Sequence, residues 1–362
     1  MTFAPEPPST NLESTSIFLE VRRFWNTANP VFVAFYRSLA SFASEPKGGM
    51  REARQIMKRR LIWVAVMVIV AGTVYGEAAA GKNPSSPTPD AGYLKSYDKW
   101  KAELVNDLKE NWLSLAGLFW LKAGENSFGA DPGNAIVLPK GPSQAGVFEL
   151  EGTNVTVKFS PGAGAKVDGK PVTMVKLQPD ISGNPTVVEL GSLRIKAIVR
   201  GQRIGIRLKD IASEAARNYR GPVFFPIDLS YRVKATLVPS DGKKTVDVPN
   251  VLGDTTPTAS AGVLVFNING QEVRLTDLGG NPSKGLSFVF NDLTSKTDTY
   301  PGGRFLETDP VVNGTVEIDF NRAYNPPCAV TPYATCPLAP KENRLAVAIP
   351  AGEKYDRTQA HH

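Results

Sequence analysis

Between Asp319 and Leu345 the chain reads DFNRAYNPPCAVTPYATCPLAPKENRL, gathering both cysteines, a run of prolines and a dense set of acids, amides, phenols and cations. Asp319, Asn321, Arg322, Tyr324, Asn325, Tyr333, Asn343 and Arg344 lie in it, with Glu353 and Lys354 just beyond. Groups of this kind, carried over the end of a sheet by a proline-stiffened segment, line a polar pocket. One chemistry open to them is hydrolysis by paired carboxylates, with Asp319 and Glu353 as the pair, because glycoside hydrolysis needs no histidine. The competing expectation is a latch, in which Asn and Arg side chains satisfy the backbone of an irregular strap. A long ordered segment without regular structure must pair its backbone somewhere, which favours the latch.

A second concentration of chemistry is LRIKAIVRGQRIGIRLK, Leu193 to Lys209. With Gly201-Gln202 as a two-residue hairpin loop, Arg200 faces Arg203, Ile198 faces Gly205, Lys196 faces Arg207 and Arg194 faces Lys209. Alternation then sends Leu193, Ile195, Ala197, Val199, Ile204, Ile206 and Leu208 to the core and six cations to the opposite face. Like charges opposite one another destabilise a sheet, so carboxylates such as Asp210 and Glu214, or acids brought in by folding, are expected to offset them. Such a face is either solvated and ion-paired or a seat for a small anionic ligand. The binding expectation names Arg203, Arg207, Arg220 and Arg304, with Asn321, Arg322, Tyr324 and Asn343 from the strap.

The sequence also excludes chemistry. Its two histidines are the last two residues, His361 and His362. The folded part therefore has no imidazole for a Ser-His-Asp or Cys-His nucleophile or for conventional zinc ligation. There is no GxSxG elbow, P-loop or EF-hand pattern. No cofactor and no metal are expected, and a non-enzymatic module is preferred to an enzyme.

Lys58-Arg59-Arg60 precede the uncharged apolar stretch Leu61 to Val74, and small residues follow at Gly76 and Ala78 to Ala80. The pattern is a signal peptide with start at Met57 or Met50, which would make residues 1–56 a start-site artefact; otherwise 61–80 is an uncleaved signal anchor. Either reading exports the domain beyond residue 80, to the periplasm or outside the cell, with contact to the membrane only through residues 61–80. In an oxidising compartment Cys328 and Cys336 are expected to form a disulfide closing a short loop, worth about 2 to 3 kcal/mol in the chain-entropy model. Without residues 1–80 the balance is 32 basic against 29 acidic residues. Nucleic acid is not an expected partner for so mild a charge.

Local pattern predicts the scaffold that holds these groups. Residues 81–92 are a Pro/Ser linker. Tyr93, Tyr97, Trp100, Leu104 and Leu108 step at helical spacing, predicting one core-facing helix. From Leu113 onward short β-like runs alternate with turn residues: Leu118–Leu121, Ala135–Leu138, Val147–Leu150, Val155–Phe159, the cationic hairpin, Tyr231–Val238, Thr245–Val248, Gly262–Ile268, Gln271–Leu275, Leu286–Phe290, Thr299–Leu306 and Thr315–Phe320. Asn269-Gly270 marks a tight hairpin. The expectation is a mainly β domain over 93–357, an antiparallel sandwich or barrel-like fold with an N-terminal helix and an irregular C-terminal strap, in two parts of about 113–175 and 185–357.

The segment from Asp319 to Leu345 resembles the signature of the bacterial domain-of-unknown-function family 1684, a resemblance extending from about Tyr97 to Lys354. It implies an exported protein, and Arg203, Arg207, Asp210 and Arg220 fall where that family carries similar residues. Ser127-Phe128-Gly129, Asn134 to Leu138 and Val167-Asp168-Gly169-Lys170 are similar to strands of the phosphothreonine-binding forkhead-associated domain, over about 127–170. That family has an Arg after the glycine, where this chain has Ala130, and a His three residues beyond its Ser, where this chain has Gly146 after Ser143. The similarity thus implies strand layout without phosphopeptide binding. The functional expectation is an exported module binding a small anionic or polar ligand; the second is a histidine-independent hydrolase acting on an envelope polymer or ester.

Overall fold

Helix α1, Ala91–Asp107, starts where the Asp90 carboxylate accepts the Tyr93 N–H at 2.8 Å, a side-chain cap on an otherwise unpaired donor. The structure, a computed structural model, describes residues 88–241 and 245–358. The signal or anchor segment, the extension before it and most of the linker lie outside the described residues. Among the described residues no helix is long and apolar enough to cross a membrane. Tyr93 and Tyr97 of the apolar stripe are buried, as its spacing predicts. The helix runs into a π-helical turn, Leu108–Trp112, which buries Leu108 and swings Trp112 towards the cationic hairpin.

Eleven strands come next: β1 Leu115–Trp120, β2 Gly124–Gly129, β3 Ile136–Val137, β4 Gly146–Glu151, β5 Asn154–Phe159, β6 Lys166–Val167, β7 Lys170–Pro171, β8 Met174–Leu177, β9 Val188–Leu190, β10 Leu193–Arg200 and β11 Arg203–Asp210. They form a five-stranded sheet, β3-β2-β4-β5-β8, and a six-stranded sheet, β1-β11-β10-β9-β6-β7. Phe128, Phe148 and Val157 of the first share one core with Ile195, Ile206 and Leu208 of the second. The β10–β11 register is the one its loop requires, with Arg200 opposite Arg203, Lys196 opposite Arg207 and Arg194 opposite Lys209.

After the short helix α2, Glu214–Asn218, come β12 Arg232–Pro239, β13 Thr245–Pro249, β14 Thr255–Ala259, β15 Gly262–Ile268, β16 Gln271–Thr276, β17 Ser287–Phe290, β18 Arg304–Glu307 and β19 Thr315–Asp319. One sheet has the order β16-β15-β12-β19; β13–β14 and β17–β18 are separate pairs. Asn269 and Gly270 take φ of 51° and 79°, the doubly positive pair that a tight β15–β16 hairpin demands. The second core holds Leu264, Phe266, Leu275, Phe288, Phe290, Ile318 and Phe320. The fold is mainly β, its strand pairings are antiparallel except at β2–β3, and among the described residues no sheet closes into a barrel.

The C-terminal strap completes that second core. Leu345, Val347, Ile349 and Ala351 are buried at every second position and join the cluster. The strap lies along residues 291–293: Leu345 N–H donates to Asn291 O at 2.7 Å, and Leu293 N–H to Val347 O at 3.0 Å. Where carbonyls run out, side chains take over, with Ile349 N–H donating to Asp292 Oδ2 at 2.6 Å. Cys328 and Cys336 do not form the expected disulfide; both are buried free thiols. Each sulfur accepts the other residue's backbone N–H at 3.3 Å, among Ala334, Trp112, Tyr300 and Phe305. The segment is held by packing and hydrogen bonds, without a covalent closure. The hydrogen bond to Cys328, with burial, raises the Cys336 thiol above the ordinary thiol range.

Candidate functional site

A polar cavity of about 530 Å³ lies between the start of α1 and the ends of β12, β18 and β19. Strand alternation builds its floor. Glu317 and Asp319 are two residues apart on β19 and so share a face, with Arg232 of β12 directly opposite Asp319. Glu307 closes β18, and Asp309 follows it at the rim. Asp90, Tyr93, Ser96 and Trp100 of the helix end form the opposite wall. Five carboxylates thus face two guanidinium groups, Arg232 and Arg322.

Part of this charge is already committed. Arg232 pairs with Glu317. Asp319 accepts from the Tyr93 hydroxyl at 2.9 Å, from Asn321 Nδ2 at 2.9 Å, and lies 3.5 Å from Arg322 Nε. Arg322 Nη2 reaches Ser96 Oγ at 2.7 Å, so the strap's first turn and β19 together clamp the helix N-terminus. The Tyr324 hydroxyl donates to Glu307 at 2.9 Å, its ring wedged between Trp100 and Phe305. Burial first, then the neighbouring carboxylate, raises the phenols of Tyr93 and Tyr324 above their ordinary value, so both act as neutral donors. Glu307 and Asp309 have no cationic partner among the described residues.

The other sequence-derived site residues are scattered. Arg203 is spent on Asp254, and Arg200 on Asp180 at 2.7 Å. Arg220 reaches Thr358 Oγ1 at 3.0 Å and Asp356 at 4.0 Å on the surface. Arg304 is fully buried, bonded to the carbonyls of Ala351 and Ile349, 3.5 Å from Asp292 and over the Phe290 ring. Asn343, also fully buried, joins Thr276 N–H and O to Val289 O and so ties β16, β17 and the strap together. Asn321 does the same between Asp228 and Asp319. Arg207 lies 5.9 Å from the Trp112 ring with buried Nε and Nη2 unpaired, and burial followed by the nearby Arg200 lowers its pKa. The four arginines do not converge on one pocket. The ion-paired reading fits Arg194, Arg200 and Arg203 of the hairpin face, and the latch reading fits Arg304, Asn321 and Asn343.

The carboxylates singled out for hydrolysis are also parted. Asp319 lines the cleft under α1, whereas Glu353 lines a separate small cavity with Tyr219, Asn325 and Tyr355. Glu353 is 4% exposed, and burial pushes it up to about 8 although Asn325 N–H donates to its Oε2 at 2.8 Å. Gly352 before it has φ of 81°, and a side chain there would meet Ala323 O at 2.6 Å, so the chain must turn at glycine to bury Glu353. Sequence reasoning missed Arg232, Glu307, Asp309 and Glu317. For Glu317 the signal was present, since a strand ending at Asp319 necessarily shows both acids on one side.

Fold and site define a mainly β protein with an acid-rich cleft beside its helix and a strap built into its second core. The family model described as protein of unknown function (DUF1684) matches residues 217–354, and this part of the chain belongs to that family. The match runs from the end of α2 to the strap and includes Arg220, while Arg203, Arg207 and Asp210 precede it. A solution NMR structure of an uncharacterized protein of Haloarcula marismortui is 32% identical, over 41% of this chain and 83% of that one, with a TM-score of 0.34. No curated protein matches the chain.

Proposed function

We propose that the protein is an exported, non-enzymatic module that binds a small polar ligand in the cleft between α1 and β19, and that the ligand is neutral or cationic rather than anionic. The observation that carries the reading is the lining of the cleft, five carboxylates against two already paired arginines. An anion would meet net repulsion there; an amine or a hydroxyl-rich ligand finds acceptors at Glu307 and Asp309. Export rests on the basic-then-apolar pattern of Lys58 to Ala80, which leaves the domain either released or tethered by that segment.

The test is thermal stabilisation by three matched probes: a cationic amino sugar, its neutral parent hexose and the corresponding uronic acid. Stabilisation by either of the first two, lost in Glu307→Gln with Asp309→Asn, is the expected result. Stabilisation by the uronic acid alone would reject the reading. A hydrolase remains the second reading because Glu317 and Asp319 stand two residues apart on one face of the strand and line the same cleft, a backbone rise of about 7 Å. Both are engaged by partners, so no turnover of chromogenic glycosides is expected.

A further inference from the structure

The small cavity beside Glu353 has a charge balance that the surrounding protein does not close. Three ionisable side chains are buried together near the strap: Asp292, Arg304 and Glu353. Asp292 and Arg304, both wholly inaccessible, pair at 3.5 Å, and the two Nη groups of Arg304 donate to the carbonyls of Ala351 and Ile349 while its Nε has no hydrogen-bond partner. That pair is neutral as a unit, so Glu353 adds one excess negative charge to the interior whenever its carboxyl ionises. The neighbouring lysine does not supply the balance, since the Lys354 ammonium sits over the ring of Phe225, 4.9 Å from its centroid. Asp356, at the cavity wall, is engaged by Thr358 and Arg220.

Asn325 gives an independent sign. It is 6% exposed and lines the same cavity. Its Nδ2 donates to Lys354 O at 2.9 Å and its N–H to Glu353 Oε2 at 2.8 Å, but its Oδ1 is buried without a partner. A buried acceptor left unpaired costs about 1–3 kcal/mol, and an uncompensated carboxylate costs more. Both groups want the same thing, positive charge or a donor, and the cavity is about 10 Å³, room for a single water-sized body.

We propose that the Glu353–Asn325 cavity binds one alkali-metal cation, held by the Glu353 carboxylate and Asn325 Oδ1. A monovalent ion matches the single unbalanced charge. A divalent ion would bring one charge too many, and among the described residues no group of three or more His, Cys, Asp or Glu side chains is placed to hold a metal. The site is distinct from the cleft under α1, to which neither residue contributes. Its effect would be to fasten the end of the strap to the segment around Asn325.

Thermal unfolding of the full chain at about pH 9, where the Glu353 carboxyl is ionised, in chloride salts of lithium, sodium, potassium and choline at equal ionic strength tests this. One alkali cation, at tenfold its Kd, should raise Tm by about 3 °C over choline. Glu353→Gln should abolish that increment. Equal Tm in all four salts would overturn the proposal and leave the cavity to water; so would an increment that survives in Glu353→Gln. If that variant does not fold, calorimetric titration of the unaltered protein with each alkali chloride decides: one saturable site per chain supports the proposal, and the absence of saturable heat for every cation ends it.

Discussion

Arg304 shows how a residue type with obvious recognition chemistry becomes structural. Its guanidinium is wholly inaccessible and grips two strap carbonyls, a carboxylate and an aromatic face. Arg304→Met would strand Asp292 as a buried unpaired charge, and a loss of about 3–5 kcal/mol in urea unfolding is expected. Asn343→Ala removes three buried hydrogen bonds and leaves their partners unsatisfied; about 2 kcal/mol or more should go, read the same way. Glu353 gives a pH signature of defined sign. Its folded value, raised to about 8, lies above an unfolded value near 4.3, so its contribution is complete below that lower value and is lost as pH rises towards 8. In choline buffer stability should fall by up to about 1.4 kcal/mol per pH unit across that window, and Glu353→Gln should flatten the slope. A pH-independent difference between the two proteins would contradict this.

Among elements, α1 is the one whose attachment is most localised. Tyr93 to Asp319 and Ser96 to Arg322 are long-range hydrogen bonds at its first turns, backed by ring contacts of Tyr97 and Trp100 with Phe224. Tyr93→Phe is expected to cost about 1 kcal/mol and to speed amide exchange in α1 while the sheets keep their protection. The β10–β11 hairpin was legible in full, because alternation and a two-residue loop leave one register. Its six cations were equally legible; their partners were not, since Asp180 and Asp254 arrive from 20 and 51 residues away in the chain. Arg203→Ala should therefore change stability by less than about 1 kcal/mol, as befits a half-exposed pair. Strand β9 escaped notice because a run of three residues carries no period.

For the molecule as a whole, the strap is the element on which the second core depends. Its buried side chains alternate from Asn343 to Ala351, and the core cluster contains four of its apolar residues. Truncation after Pro340 should abolish the cooperative unfolding of that core, seen as loss of near-ultraviolet dichroism. The thiols offer a second global readout. Alkylation should modify neither cysteine in the native protein and both after denaturation, because Cys328 and Cys336 are free and buried.

Local pattern was sufficient for the mainly β class, the helix, the hairpins and the identity of the strap, because periodicity and turn chemistry act between neighbours and are written residue by residue. It was also sufficient to remove histidine chemistry, since a missing side chain cannot be supplied by folding. Which charges meet is another matter. The cleft joins residues 90–100 to 232 and 307–322, and the Glu353 cavity joins 219 to 325 and 353. Pairing over such separations depends on how the sheets and strap pack in three dimensions, and that packing made Arg304 an anchor, gave Arg203 and Arg220 surface partners and left Arg207 buried near Trp112, while placing beside the helix acids that have no cationic partner among the described residues.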